Sequence, residues 1–142
     1  MAVRSAQAEW NGALIEGKGR MEFGSGAFEG PYSFSSRMED GPGTNPEELI
    51  AAAHAGCFSM QLSGVLGASG HTPESVRTEA GIHFNKQGEG WAITRIELNT
   101  RARVPGIDEE AFQKAASTAK ETCPVSAALT GTEISLDATL EA

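Results

Sequence analysis

Two cysteines are the residues of this chain best suited to covalent chemistry. Cys57 lies midway along an apolar run, NPEELIAAAHAGCFSMQLSGVL, and Cys123 directly precedes a proline in ETCPVSAALTG. As a thiolate, cysteine can attack the weak O–O bond of a peroxide, which few side chains can do. The competing reading of Cys57 is an inert thiol packed in an Ala-rich helix, because free cysteine is among the most buried residue types. Cys123 is either a small residue filling a kink or a thiol at the cap of a helix that restarts at Pro124. In the second case backbone N–H groups and the helix dipole favour its charged form, which suits a good leaving or resolving thiol.

Three further residues bear on a thiolate at Cys57. His54, one turn earlier on the same helical face, could hydrogen-bond the sulfur, although a lone histidine is more often a packing residue. Arg37, read as closing the strand PYSFSSR, and Glu47, opening the helix, are each most simply a solvated charge or a helix-dipole acid. Together they match what a peroxidatic thiol needs: a cation to hold the sulfur as thiolate, and a carboxylate to orient the cation's planar fork. Metal binding through Cys57, His54, His71, His83 and Cys123 is disfavoured, since only His54 and Cys57 have ligand-like spacing and a structural zinc wants four ligands. No Cys-His hydrolase motif surrounds Cys57, and neither GxGxxG after a strand nor GxxxxGK[ST] occurs.

Composition narrows the class. The 142 residues fit one domain, residues 1–142, with enough chain to bury a core without staples. A net charge of −8 argues against binding nucleic acid, because affinity for phosphates comes from Lys and Arg. The N-terminal MAVRSAQAEWNGALIEG has no apolar core of signal-peptide length, and the most apolar segment is interrupted by Glu, His and Gly short of a membrane span. A cytoplasmic protein without membrane partners is expected, in which any disulfide between two cysteines so far apart in sequence is transient.

The elements that must position these residues follow from periodicity. SAQAEW, GALIEGKG, RMEFG and PYSFSS read as a meander of short strands with glycine turns. Asn45-Pro46-Glu47-Glu48 opens a helix, with Asn45 as cap, Pro46 in the first position and Glu48 closing a capping box. That helix should end near Gly67 or Gly70 and, being nearly uncharged after Glu48, should have both faces covered. Val76 to Phe84 and Thr94 to Val104 alternate as a long hairpin around KQGEG. DEEAFQKAASTAKETC is a helix that Pro124 restarts, and EISLDATLE is a last strand. The order gives an α+β fold with antiparallel sheet around a central helix. Such a helix needs more cover than one face of a six-strand sheet supplies, so a homodimer is expected, with N-terminal strands completing the partner's sheet.

Arg37, GTNPEELIAAAHAGCFSMQL, WAITRIEL ending in VPGID, and CPVS…EISLD together resemble the OsmC/Ohr family, and its OsmC branch most. The resemblance covers essentially the whole chain. It implies an intertwined homodimer that reduces hydroperoxides, organic ones in particular and hydrogen peroxide too, without metal, haem or flavin. It also implies peroxidatic Cys57, resolving Cys123, and supporting Glu47 and Arg37, with Arg20 in GKGRMEFG as the competitor of Arg37. Cys57 would become a sulfenic acid, Cys123 would condense with it to a disulfide, and an external dithiol such as a dihydrolipoyl group would reset it.

Geometry adds a constraint of its own. On one straight helix Glu47 and Cys57 lie about 15 Å apart along the axis, too far to share a site within one chain. Two such helices packed antiparallel across a dimer axis would bring Glu47 of one subunit toward Cys57 of the other. The alternative function is an apolar-ligand carrier or stress-interaction module on the same fold. In either case the pocket is expected around Cys57, with Phe58, Met60 and nearby aromatics. A general disulfide reductase lacks its C-x-x-C pair.

Overall fold

The structure, a computed structural model, describes residues 2–142, which divide into two compact units that meet within the central helix, between Leu49 and Ile50. In the first unit β1 (Ala6–Asn11), β2 (Lys18–Phe23) and β3 (Glu29–Tyr32) form an antiparallel sheet in that order. The expected meander is present, with two corrections. GALIEG is a turn and not a strand: Gly12 takes φ +96°, Gly17 N–H returns to Ala13 O at 2.7 Å, and Leu14 and Ile15 are left 70% exposed. PYSFSS stops being strand after Tyr32, where Ser33 caps a short helix, α1 (Phe34–Met38). Ser36 N–H donates to Ser33 Oγ at 3.0 Å and Ser33 N–H to Ser36 Oγ at 2.9 Å, a reciprocal box that satisfies two donors locally and competes with strand pairing. Arg37 is therefore helical and does not close a strand.

The central helix, α2 (Pro46–Ala68), starts and stops where its caps dictate. Glu48 N–H donates to Asn45 Oδ1 at 2.8 Å, as expected of the cap. The Glu48 carboxylate does not close the box on the cap's own N–H; it accepts from Thr44 Oγ1 at 2.8 Å instead. At the far end Gly70 takes φ +88°, and His71 N–H and Gly70 N–H reach Leu66 O and Gly67 O at 2.9 and 3.0 Å, a Schellman ending.

In the second unit β4 (Ser75–Gln87), β5 (Gly90–Arg103) and β6 (Glu133–Glu141) form another sheet in that order. The long hairpin β4–β5 is antiparallel, but β5 and β6 are parallel, correcting the all-antiparallel expectation. The cause is the connection: α3 (Glu109–Thr122) and α4 (Pro124–Ala128) carry the chain back, and a helical crossover makes strands parallel. Among the described residues there are thus two three-stranded sheets, not one six-strand sheet. A bulge between His83 and Phe84 shifts the hairpin register, so Ile93, not Thr94, joins Ile96, Leu98, Ala102 and Val104 against the core.

Two helical stripes complete this core. From α3 come Phe112, Ala115, Ala116 and Ala119, at helical spacing. From α2 every fourth residue, His54, Phe58, Leu62 and Leu66, is fully buried. Each of the three large apolar side chains contributes about 1.5–3 kcal/mol by leaving water. The rest of α2 is equally apolar. Contrary to the sequence reading, it is long and apolar enough to span a membrane by length and composition alone, with a mean hydropathy of 1.4 over 18 residues. Its Ala, Leu and Met content outweighs the isolated Glu, His and Gly interruptions. Only 22% of that window is buried by this chain, and Met60 is 80% exposed, so one stripe of the helix is covered and not both faces.

Candidate active site

The two thiols meet. Cys123 Sγ and Cys57 Sγ are 2.9 Å apart, both unoxidised, Cys123 fully buried and Cys57 partly so. Their elements bring them there: Cys57 lies on α2 beside its buried stripe, and Cys123 is the residue between α3 and α4, continuing the buried face of α3. Two side-chain hydrogen bonds brace the contact. One turn before Cys57, His54 Nε2 meets Ser126 Oγ at 2.7 Å; one turn after it, Gln61 Nε2 donates to Thr122 Oγ1 at 2.8 Å. The braces grip α4 and the end of α3 on either side of the two sulfurs. His54 is not bonded to the Cys57 sulfur, as its spacing had suggested, because its ring reaches across to α4.

The surroundings of the two sulfurs differ. Burial pushes the Cys57 thiol up from its ordinary value, and the Cys123 neighbour adds to this, against a smaller lowering by Val125 N–H. Burial also raises Cys123, but hydrogen bonding from Cys57, from Ser126 through both N–H and hydroxyl, and from Val125 N–H outweighs it and leaves Cys123 low. Either sulfur could donate in the 2.9 Å contact. Of the two, Cys123 is the sulfur whose surroundings favour the charged form. The position before Pro124 therefore favours a thiolate, although the Cys123 side chain makes no cap hydrogen bond.

The first unit holds the expected cation and carboxylate together. Arg37 Nε and a terminal nitrogen donate to the two Glu47 oxygens, each at 2.9 Å, in a bidentate fork. Glu47 is nearly buried in the first turn of α2, where the helix dipole also favours an acid. The local chain explains the meeting. Gly43, at φ +117°, turns the backbone past Pro31 O, which a Cβ there would approach to 2.7 Å. Thr44 N–H then donates to that carbonyl at 2.9 Å, Ser36 Oγ donates to Thr44 O at 2.7 Å, and Asn45 Nδ2 donates to Ser36 O at 3.1 Å. These bonds tie α1 to the entry of α2 and set Arg37 opposite Glu47. Arg20, the competitor, pairs with Glu29 on the exposed sheet face.

Phe58 does not line a pocket: it is fully buried in the core, while Met60 points outward. The aromatic hollow lies in the first unit beside Arg37, about 170 Å³, formed by Trp10, Leu14, Tyr32, Phe34 and Met38. Ser126 and Gln61 were missed by sequence reasoning. CPVS held a signal for Ser126, three residues after a cap; Gln61 carried none.

A model of the OsmC-like protein family matches residues 39–138. The chain is 47% identical over 135 residues to the peroxiredoxin OsmC of Escherichia coli (strain K12), covering 94% of each. It is 34% identical over 101 residues to an organic hydroperoxide resistance protein of Xanthomonas axonopodis pv. citri, covering 70% of this chain and 67% of that one. Among solved structures, an OsmC-like protein of unknown function from Vibrio cholerae has a TM-score of 0.78 at 20% identity, covering 97% of this chain and 99% of that one. An organic hydroperoxide resistance protein OsmC from Legionella pneumophila has a TM-score of 0.72 at 21% identity over the whole of both chains. The architecture is the α+β fold of redox proteins of the OsmC and Ohr type. The chain belongs to the OsmC family.

Proposed function

We propose that this protein is a cysteine-based peroxidase that reduces organic hydroperoxides, and hydrogen peroxide too, and that it works as a cytoplasmic homodimer. The observation that carries this reading is the braced approach of Cys57 Sγ and Cys123 Sγ to 2.9 Å. The names of the relatives, peroxiredoxin and organic hydroperoxide resistance protein, agree with it.

The Cys57 thiolate attacks the terminal peroxide oxygen; the O–O bond breaks, an alcohol or water leaves with a proton, and Cys57 becomes a sulfenic acid. The Cys123 thiolate then attacks the oxidised sulfur, the S–O bond breaks, and the hydroxide leaves as water with a proton taken from solvent. The Cys57–Cys123 disulfide is returned to two thiols by an external dithiol, of which a dihydrolipoyl group is one, itself oxidised to a disulfide. No metal, haem or flavin takes part.

The raised Cys57 thiol calls for a cation, and the Arg37–Glu47 fork is a candidate already oriented. Glu47 and Cys57 lie on one unbroken helix, with about 15 Å of axial rise between them, which favours a fork donated by a second copy of the chain. The uncovered apolar surface of α2 supports the same dimer. In it, the hollow beside Arg37 would receive the carbon tail of the peroxide.

The test is turnover of cumene hydroperoxide, tert-butyl hydroperoxide and hydrogen peroxide, with dihydrolipoamide or dithiothreitol as donor, for wild type, Cys57→Ser and Cys123→Ser. Turnover lost at Cys57→Ser, with Cys57 over-oxidised in Cys123→Ser, supports the scheme. Equal, negligible rates in all three would overturn it and leave an apolar-ligand carrier as the reading.

A further inference from the structure

Three side chains of α2 meet the α3–α4 segment as the rungs of a ladder. His54, Cys57 and Gln61, spaced three and four residues apart and so on one face of the helix, meet Ser126, Cys123 and Thr122 at 2.7, 2.9 and 2.8 Å. The partners run in the reverse direction along the chain, so the sulfur contact is the middle rung. The outer rungs differ: His54–Ser126 is buried, whereas Gln61–Thr122 lies at the surface of the chain. The surface rung has a fixed polarity. Thr122 Oγ1 donates its one proton to Thr118 O at 2.8 Å, so a lone pair is what it offers Gln61, which must present its N–H and not its carbonyl.

This rung reaches Cys123 through one peptide bond. Cys123 follows Thr122 directly, and its N–H still donates to Ala119 O at 2.9 Å, so its backbone is tied to the last turn of α3; past it Pro124, with no N–H to donate, starts α4. Where the last turn of α3 stands against α2 therefore sets where Cys123 Sγ stands against Cys57 Sγ. We propose that Gln61 and Thr122 are positioning residues for disulfide closure: their hydrogen bond holds the end of α3 on α2, so that Cys123 reaches oxidised Cys57 before a second peroxide does. The inference rests on the peroxidase reading. Two steps compete for the Cys57 sulfenic acid. In closure the Cys123 thiolate attacks its sulfur, the S–O bond breaks, and hydroxide leaves as water with a proton from solvent. In over-oxidation that sulfur attacks a second peroxide, the O–O bond breaks, an alcohol leaves with a proton, and Cys57 becomes a sulfinic acid. Gln61 and Thr122 give no proton or electron to either step; closure alone depends on where α3 ends.

Three variants of the full chain test this: Gln61→Met removes the donor at similar size, Thr122→Val removes the acceptor, and Thr122→Ser keeps it. Thr122 is exposed and Gln61 half-buried, so all three should fold. After one equivalent of cumene hydroperoxide, quenched samples are read by mass spectrometry for Cys57 sulfenic acid and disulfide; under excess peroxide the ratio of sulfinic acid to disulfide is read as well. Gln61→Met and Thr122→Val should each slow closure about fivefold, the worth of one neutral hydrogen bond, and raise the sulfinic ratio by the same factor. Combining them should add nothing, because both remove one bond. Sulfenic acid formation should keep its wild-type rate, and Thr122→Ser should close at close to the wild-type rate. Wild-type closure and sulfinic ratio in either Gln61→Met or Thr122→Val would overturn the proposal, so one folded variant suffices. Equal slowing of sulfenic acid formation would overturn it too, since a general loss of packing affects both steps. A wild-type protein whose Cys57 is not oxidised at all would instead overturn the peroxidase reading.

Discussion

The two units differ in what they bury. The unit from Ile50 onward hides Phe58, Leu62, Leu66, Ile96, Leu98 and Phe112, while the side chains hidden in the unit up to Leu49 are polar: Ser36, Thr44 and Glu47. A three-stranded sheet with no fully buried large apolar side chain has little to hold it alone, whereas the second unit has a core of ordinary kind. The chemistry divides in the same way. The thiols sit in the second unit, where α2 meets the α3–α4 junction; the cation and its carboxylate sit in the first, held by hydrogen bonds between α1 and the entry of α2. A rigid core suits a nucleophile that must meet one partner atom.

The sharpest break in this comparison is Cys57→Ser, which should abolish peroxide turnover while leaving the melting temperature near wild type, measured by coupled assay and thermal denaturation. Next comes Glu47→Ala, which leaves Arg37 without its fork; the rate of Cys57 oxidation should fall about a hundredfold, read by single-turnover quench and mass spectrometry. Mixing Glu47→Ala with Cys57→Ser should restore part of the activity if the fork is donated across subunits, and none if it acts within one chain.

A change in the second unit's core, Phe58→Ala, should cost about 3–5 kcal/mol of stability by urea titration, because a fully buried ring leaves a cavity. Acid should weaken the same unit. Burial holds His54 below its ordinary 6.5, so the unfolded chain takes the proton first; the stabilisation is full above about pH 6.5 and lost as pH falls toward the folded value. Melting temperature should therefore drop below that pH, and less steeply in His54→Gln. The smallest effect is expected from Arg20→Ala, since its pair with Glu29 is exposed on both sides: turnover within about twofold and stability within about 0.5 kcal/mol.

Much of this was legible in local patterns. The cap at Asn45, the hairpin from Val76 to Val104, the helix after Asp108 and its restart at Pro124 rest on interactions between near neighbours in sequence, and all are present. Where reading failed, two local options competed or the answer lay far along the chain. Tyr32 to Ser36 alternates like a strand, yet the reciprocal Ser33–Ser36 caps make it helix. β6 alternates as expected, but periodicity carries no direction, so its parallel pairing with β5 was invisible.

The candidate site divides along the same line. The candidacy of two cysteines for peroxide chemistry, and the pairing of Arg37 with Glu47, follow from residue type and near spacing. Tertiary structure alone decided that Cys57 and Cys123, 66 positions apart, come to 2.9 Å, that His54 turns from the Cys57 sulfur to Ser126, and that Phe58 is core and not pocket. The physical reason is range. Capping and periodicity act over one helical turn or one strand step, while the meeting of α2 with the α3–α4 junction depends on how buried stripes of distant elements pack, and a sulfur's charge depends on which donors that packing places around it.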